Sequence, residues 1–175
     1  MAKSTTPKPF IYYEDLKNWE IVNSIIYFIL TIGVVLACSF FDRGFNQLLL
    51  LFYWGITDLS LYFFLYRSLR NFRSYMVWFG FGIVHLILFA IFKDDPKLKL
   101  FHGQASWGLI NTIPLLLLYQ LLRYFSFNIQ HREFVVPSKA GTTDLIENVK
   151  VTFVDKTILI IYMLALIGLA TIEMP

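Results

Sequence analysis

The chain has 175 residues, of which 57% are hydrophobic, 18% aromatic and only 15% charged, with a formal net charge of +3 at pH 7. Soluble domains carry about 25% charged and about 45–50% apolar residues, and a soluble fold of this length has too little interior for so much apolar surface. The composition therefore excludes an ordinary soluble domain and predicts an integral membrane protein in a lipid bilayer. The small positive charge does not indicate a nucleic-acid partner, and we expect none.

The N-terminal segment, residues 1–20, mixes charged residues, prolines and aromatic residues. It lacks the short basic region, apolar core and small-residue cleavage site of a secretory signal peptide. Tyr12, Tyr13 and Trp19 are typical of the headgroup layer, where an amphipathic ring keeps one edge in water. We expect an interfacial segment on the cytoplasmic side.

Five apolar runs follow, and each is long enough to cross about 30 Å of hydrocarbon at a helical rise of about 1.5 Å per residue. A helix pairs its own backbone N–H and C=O groups, as a spanning segment in lipid must. The sequence therefore predicts one all-α, multi-pass transmembrane domain over residues 21–175. Its five transmembrane helices are expected at about 21–41, 48–66, 75–92, 105–127 and 157–174.

Orientation is predicted from lysine and arginine, which are enriched in cytoplasmic segments. Eleven of the fifteen lie in the N-terminal segment, the second hairpin and the long connection at about 128–156 with its flanks. The other four are Arg43, Lys93, Lys97 and Lys99. This asymmetry predicts a cytoplasmic N-terminus and long connection, and a C-terminus outside.

The long connection contains apolar residues at helical spacing, followed by the fifth helix. These residues are Leu145, Ile146, Val149 and Phe153. Charged and polar residues occupy the positions between them, so the pattern predicts an amphipathic helical stretch. Two interpretations remain open: an interfacial helix that lies on the membrane, or a docking face for a cytoplasmic partner.

Two ionisable residues lie near the middle of predicted spans, Asp58 in the second and His85 in the third. A charged residue there costs about 2.5–3.5 kcal/mol on insertion scales, so such positions are the first candidates for function. The hairpin between the two helices places both residues at nearly the same depth. We expect both side chains to point into the bundle within about one helical turn, ~5.4 Å, of each other in depth. The pair could be structural, a proton relay or an ion site; a haem ligand would need a second histidine, and His102 and His131 lie in loops on opposite sides.

The fourth span contains a polar cluster around a proline: Asn111, Thr112, Pro114 and Gln120. Proline removes one backbone hydrogen bond and is expected to kink the helix, and the neighbouring polar side chains could bind the freed carbonyl. The cluster is either a tolerated kink or a broken-helix substrate site of the kind found in transporters.

No nucleophile lies beside a base at matching depth, and no phosphate-binding loop, HExxH or CxxC pattern occurs. We therefore expect no catalytic residue, no metal and no cofactor. The leading hypothesis is a non-enzymatic anchor or scaffold subunit of a larger membrane assembly, bound to a protein partner or to a second copy of itself. The alternative is a proton- or ion-coupled transport subunit that uses Asp58 and His85. The abundance of Phe, Ile, Leu and Lys favours an AT-rich bacterial genome, and hence the bacterial inner membrane.

Overall fold

The computed structural model describes residues 9–101, 103–138, 142–146 and 149–172. Within these ranges the chain forms five α-helices and no strand, which confirms the predicted all-helical class. The helices are α1 (Asn18–Phe40), α2 (Arg43–Phe63), α3 (Phe72–Phe92), α4 (Thr112–Gln130) and α5 (Phe153–Thr171). Short 3-10 helices occupy Ser68–Arg70, Pro96–Leu98 and Ala105–Asn111.

Among the described residues, four segments are long and apolar enough to cross a membrane, so the predicted fifth span is not confirmed. They are Asn18–Phe40, Phe72–Phe92, Ala105–Gln130 and Phe153–Thr171. The remaining α-helix, α2, has 21 residues, as α3 does, but its polar residues lower its mean hydropathy. These polar residues include Asn46, Gln47, Thr57, Asp58 and Ser60.

The polar side of α2 faces the interior of the bundle. Asn46, Thr57 and Asp58 are buried together with Leu50 and Leu61. The exposed side of the same helix is apolar, because it presents Phe45, Leu48, Phe52, Ile56 and Leu59. α2 is therefore amphipathic, with an apolar exposed face and a buried face that carries its polar side chains.

The Ala105–Asn111 segment packs against both α2 and α3, and α4 continues between them. Its contact with α2 depends on Gly108, because a Cβ atom there would lie 2.1 Å from the ring of Trp54. The Trp54 indole also donates a hydrogen bond to the Ala105 carbonyl at 3.1 Å. Because this segment lies between α2 and α3, it prevents the direct packing of these two helices that their short connection predicts.

The continuous helix expected from about 105 to 127 is observed as the helical segment Ala105–Gln130. Within it the chain changes from a 3-10 helix to an α-helix at Thr112, two residues before the proline at which the sequence predicts a kink. Pro114 is the third residue of α4. Because proline has no N–H, it donates no hydrogen bond to the carbonyls of the 3-10 turn that precedes α4.

The amphipathic helix expected from Thr143 into α5 is wrong for the residues that the structure describes, since residues 142–146 and 149–152 are not helical. The Asp144 carboxylate accepts hydrogen bonds from the backbone N–H groups of Ile146 (3.2 Å) and Val149 (2.7 Å). Such local bonds compete with the helical pattern. α5 begins at Phe153, capped by the side chain of Thr152.

Buried charged groups fix the long connection and the N-terminal segment to the bundle. The guanidinium of Arg123 donates to both carboxylate oxygens of Glu133 at 2.6–2.9 Å and to the Phe10 carbonyl. Arg132 pairs at 2.6 Å with Asp155, which is fully buried. The connection is therefore tied to α4 and to α5 by two ion pairs.

Candidate functional site

Asp58 and His85 are both buried in the middle of the bundle, and Thr112 joins them. The Thr112 hydroxyl lies 3.1 Å from Asp58 Oδ1 and 2.8 Å from His85 Nδ1. Because the first turn of α4 lies between α2 and α3, the two ionisable residues make no direct hydrogen bond. One threonine oxygen instead bridges a carboxyl group and an imidazole.

The other ring nitrogen of His85 faces two tyrosines. Its Nε2 lies 2.7 Å from the hydroxyl oxygen of Tyr27 and 2.9 Å from that of Tyr53. The Tyr27 hydroxyl also lies 2.9 Å from the hydroxyl of Thr57, and the Tyr53 hydroxyl 2.7 Å from that of Thr31. His85 thereby connects α3 to α1 and α2.

These contacts form one continuous set of hydrogen bonds, which we call the buried polar network. Its members are Tyr27, Thr31, Tyr53, Thr57, Asp58, His85 and Thr112. They come from α1, α2, α3 and the start of α4. The fifth helix joins through its Tyr162 hydroxyl, which donates to the backbone carbonyl of Asp58 at 3.2 Å. All five α-helices are therefore hydrogen-bonded at this level.

Local sequence spacing positions the network. Tyr27 and Thr31 are four residues apart on α1, and Tyr53 and Thr57 are four residues apart on α2, so each pair lies on one helical face. Gly82 lies about one turn before His85, and a Cβ atom there would be 2.8 Å from Ile113 Cγ1. The glycine thus lets the first turn of α4 approach α3 closely enough for Thr112 to reach His85.

An aromatic layer surrounds the Tyr27 end of the network. The Tyr27 ring packs against Trp78 and Phe81 with centroid distances of 5.0 and 4.8 Å, and it stacks on Tyr53 at 5.8 Å. Beyond it, a largely apolar cleft of about 410 Å³ runs between α1 and α2. The walls of this cleft include Tyr27, Tyr53 and Thr57, so the rings and hydroxyls of the network separate His85 from the cleft.

The network does not have the form of a metal or haem site. Both ring nitrogens of His85 are engaged in hydrogen bonds of 2.7–2.9 Å, so neither is directed at a metal. Across the part of the chain that the structure describes, no group of three or more His, Cys, Asp and Glu residues could hold an ion. His131 lies at the far end of α4, and His102 falls outside the described residues.

The predicted cluster of the fourth span separates into different environments. Thr112 belongs to the buried polar network, whereas buried Asn111 lines a small cleft of about 90 Å³ beside Trp107. Gln120 lies further along α4, where its amide donates to the Leu69 carbonyl at 3.4 Å and accepts from Arg123. The cluster is therefore not a single broken-helix site.

Sequence reasoning missed Tyr27, Thr31, Tyr53 and Thr57. A signal was present, because a Tyr-x-x-x-Thr pattern occurs in both the first and the second apolar run. Two hydroxyl groups one turn apart on one face are costly in lipid unless they are paired.

Comparison of the chain with protein-family models, with curated proteins and with solved structures finds no match.

Removing the bridging hydroxyl tests the network directly. Thr112→Val keeps the shape of the side chain but leaves His85 Nδ1 and the Asp58 carboxyl without their shared partner. We expect the free energy of unfolding to fall by about 1–3 kcal/mol, the cost of unsatisfied buried polar groups, as measured by denaturant titration in detergent micelles. The matched control Thr112→Ser keeps the hydroxyl and loses one methyl group, worth about 0.8 kcal/mol. A valine variant as stable as the serine variant would contradict a bridging role.

Proposed function

We propose that the protein is a non-enzymatic membrane component that anchors or scaffolds a larger assembly. Its contact with a protein partner, or with a second copy of the chain, lies at the loop end, defined as the end of the bundle that carries residues 64–71, 131–138, 142–146 and 149–152 and the start of α5. The observation that carries this proposal is a set of exposed apolar side chains on a connection that buried charges hold in place.

The exposed side chains are those of the predicted docking face. Leu145, Ile146, Val149 and Phe153 have 47%, 45%, 36% and 84% of their surface exposed. They do not share a helix face, but the backbone that carries them is fixed. The Leu145 N–H donates to the Val136 carbonyl at 2.9 Å, and the buried Asp144 carboxylate binds the turn that follows. A pre-ordered apolar surface supports a binding role, because little conformational freedom remains to be lost on association.

The charged side chains at the loop end form structural contacts, which also supports a role without catalysis. Arg123, Glu133, Arg132 and Asp155 are engaged with one another and with backbone carbonyls. The larger cleft is lined mainly by apolar side chains. Charges at the loop end therefore stabilise the fold, and none of these four residues lines the cleft.

We further infer that α2 is a fifth transmembrane span. Only Phe41 and Asp42 separate α1 from α2, so α2 must run back antiparallel to α1. α1 and α3 both begin at the loop end, where Glu20 near the start of α1 accepts a hydrogen bond from Ser68 at 2.5 Å. Because α1 leads away from the loop end and α3 begins there again, α2 must cross the bundle between them. The apolar outer face of α2 is suited to contact with lipid.

The proposed orientation places the N-terminus and the loop end in the cytoplasm and the C-terminus outside, in the inner membrane of a bacterium. A reporter enzyme that is active only in the periplasm should be active when fused after Pro175. The same reporter inserted within residues 138–143 should be silent, because that connection lies on the lysine- and arginine-rich side. Activity at both positions would contradict five spans, and the reverse pattern would overturn the orientation.

Site-specific photo-crosslinking tests the docking proposal. A benzophenone amino acid in place of Phe153 should give one adduct of defined mass, containing either one partner or a second copy. The matched control is Phe40 at the opposite end of the bundle, which is also a highly exposed phenylalanine at 81%; it should give no such adduct. A monodisperse monomer without an adduct at Phe153, or the same adduct from both positions, would contradict docking at the loop end.

A second candidate is a proton- or ion-coupled transport subunit, which the buried polar network favours because it places a carboxyl group and an imidazole in hydrogen-bonded series. Reconstituted vesicles distinguish the two functions. Under the transport proposal, proton or cation flux is measurable and Asp58→Asn abolishes it while the protein still folds. Under the scaffold proposal, vesicles show no flux and Asp58→Asn leaves partner binding unchanged.

A further inference from the structure

The directions of the hydrogen bonds in the buried polar network determine where its protons lie. Thr57 donates its only hydroxyl proton to the Tyr53 carbonyl at 2.7 Å, and Thr31 donates its own to the Tyr27 carbonyl at 2.8 Å. A threonine hydroxyl has one proton and two lone pairs. With these protons directed at the carbonyls, the two threonine oxygens accept hydrogen bonds from the tyrosines beside them, which is one of the two directions that each hydroxyl–hydroxyl contact allows.

Each tyrosine hydroxyl also has a single proton. When Tyr27 donates to Thr57 and Tyr53 donates to Thr31, both tyrosine oxygens present only lone pairs to His85. The contacts of 2.7 and 2.9 Å to Nε2 are then hydrogen bonds only if Nε2 carries a proton, which the two tyrosine oxygens share.

The opposite side of the imidazole allows two arrangements. If the ring is neutral, Nδ1 accepts the Thr112 proton, and the Thr112 oxygen must accept a proton from a protonated Asp58 carboxyl. If Asp58 is ionised, Thr112 donates to Oδ1, and Nδ1 carries a second proton that it donates to Thr112. Both arrangements contain the same number of protons, which is one more than an ionised carboxylate with a neutral imidazole.

We propose that Asp58, Thr112 and His85 form a proton-binding site that holds one shared proton at neutral pH, with His85 Nε2 protonated. In the state without this proton, Nδ1 donates to Thr112 and Nε2 is bare. One tyrosine must then turn its proton to Nε2, and the threonine that it had bonded loses its donor.

Burial of Asp58 favours the same conclusion. In the described part of the chain, Thr112 is the hydrogen-bond partner of the Asp58 carboxyl, and an ionised buried carboxylate with a single neutral donor is costly. The titratable groups that face the site are Tyr27 on α1, Tyr53 on α2 and Tyr162 on α5. None of these is a cation that could compensate a carboxylate, so the shared proton has that role.

This proton site does not depend on the proposed scaffold function, because it is derived from the hydrogen bonds of the network alone. It also does not require transport, since a bound proton can be purely structural. Its physical consequence is that loss of the proton removes one of the two hydroxyl bonds between α1 and α2, Tyr27–Thr57 or Thr31–Tyr53, because the tyrosine that turns to Nε2 no longer donates to its threonine.

Nitrogen-15 NMR of histidine in lipid bilayers measures the protonation of each ring nitrogen. The chain has three histidines, so the double variant His102→Asn/His131→Asn leaves His85 as the only one. Each single variant also removes one signal, which identifies His85 by elimination if the double variant does not fold. We expect a protonated Nε2 at neutral pH, in either the neutral ring or the imidazolium. A bare Nε2 with a protonated Nδ1 would overturn the proposal.

Asp58→Asn is the matched variant for this measurement. The asparagine amide supplies an N–H donor where the proposal places the carboxyl proton, so Thr112 can still donate to Nδ1. We expect Nε2 of His85 to remain protonated in this variant, with a neutral ring over the whole pH range in which the protein is folded. Movement of the ring proton to Nδ1 would show that the amide does not replace a carboxyl proton, and would count against the proposal.

Discussion

A polar side chain inside a lipid-embedded bundle has no water to bind, so each one must find a partner in the protein or destabilise the fold. The central helix α2 carries Asp58, Thr57 and Tyr53 on its inner face, and this requirement determines which residues surround it. Thr112 pairs with the carboxyl group, Tyr27 pairs with Thr57, and His85 connects the two sides. The close approach that these bonds need depends on Gly82, which leaves room for the first turn of α4.

The bundle is stabilised by two different kinds of polar contact at two levels. In the middle, hydroxyl and imidazole groups connect the helices laterally through hydrogen bonds. At the loop end, the ion pairs Arg123–Glu133 and Arg132–Asp155 fix the connection that leads into α5. The two levels differ in the way expected for their surroundings. Among the residues that the structure describes, charged pairs lie at the end of the bundle, and Asp58 is the one carboxyl group in its middle. The ion pairs thereby fix the connection on which Leu145, Ile146 and Val149 are exposed.

Much of the architecture could be predicted from the sequence, because the length and apolarity of the runs are direct consequences of the bilayer. The sequence also indicated Asp58 and His85 as the unusual residues, since ionisable groups are rare in such runs. Their connection through Thr112 could not be predicted, because hydropathy does not distinguish a 3-10 helix from an α-helix. The apolar run therefore predicts one helix from about 105 to 127 and gives no sign of the 3-10 segment Ala105–Asn111, which lies between α2 and α3.

The long connection shows a different limit of sequence reasoning. Leu145, Ile146, Val149 and Phe153 have helical spacing, but the Asp144 carboxylate binds the backbone N–H groups that a helix would need. Periodicity reports the spacing of apolar residues and contains no information on such side-chain bonds. The Tyr-x-x-x-Thr pairs of α1 and α2 are the converse case, in which a short local pattern was present in the sequence and had a definite structural role.

The residues around His85 act as one connected network rather than as separate contacts. A double-mutant cycle with Tyr27→Phe and Thr112→Val tests it most directly, because these residues bond opposite ring nitrogens of His85 and do not bond each other. If His85 couples them, the two losses in the free energy of unfolding should fail to add by about 0.5–3 kcal/mol. Losses that add within about 0.3 kcal/mol, as for independent sites, would contradict a connected network.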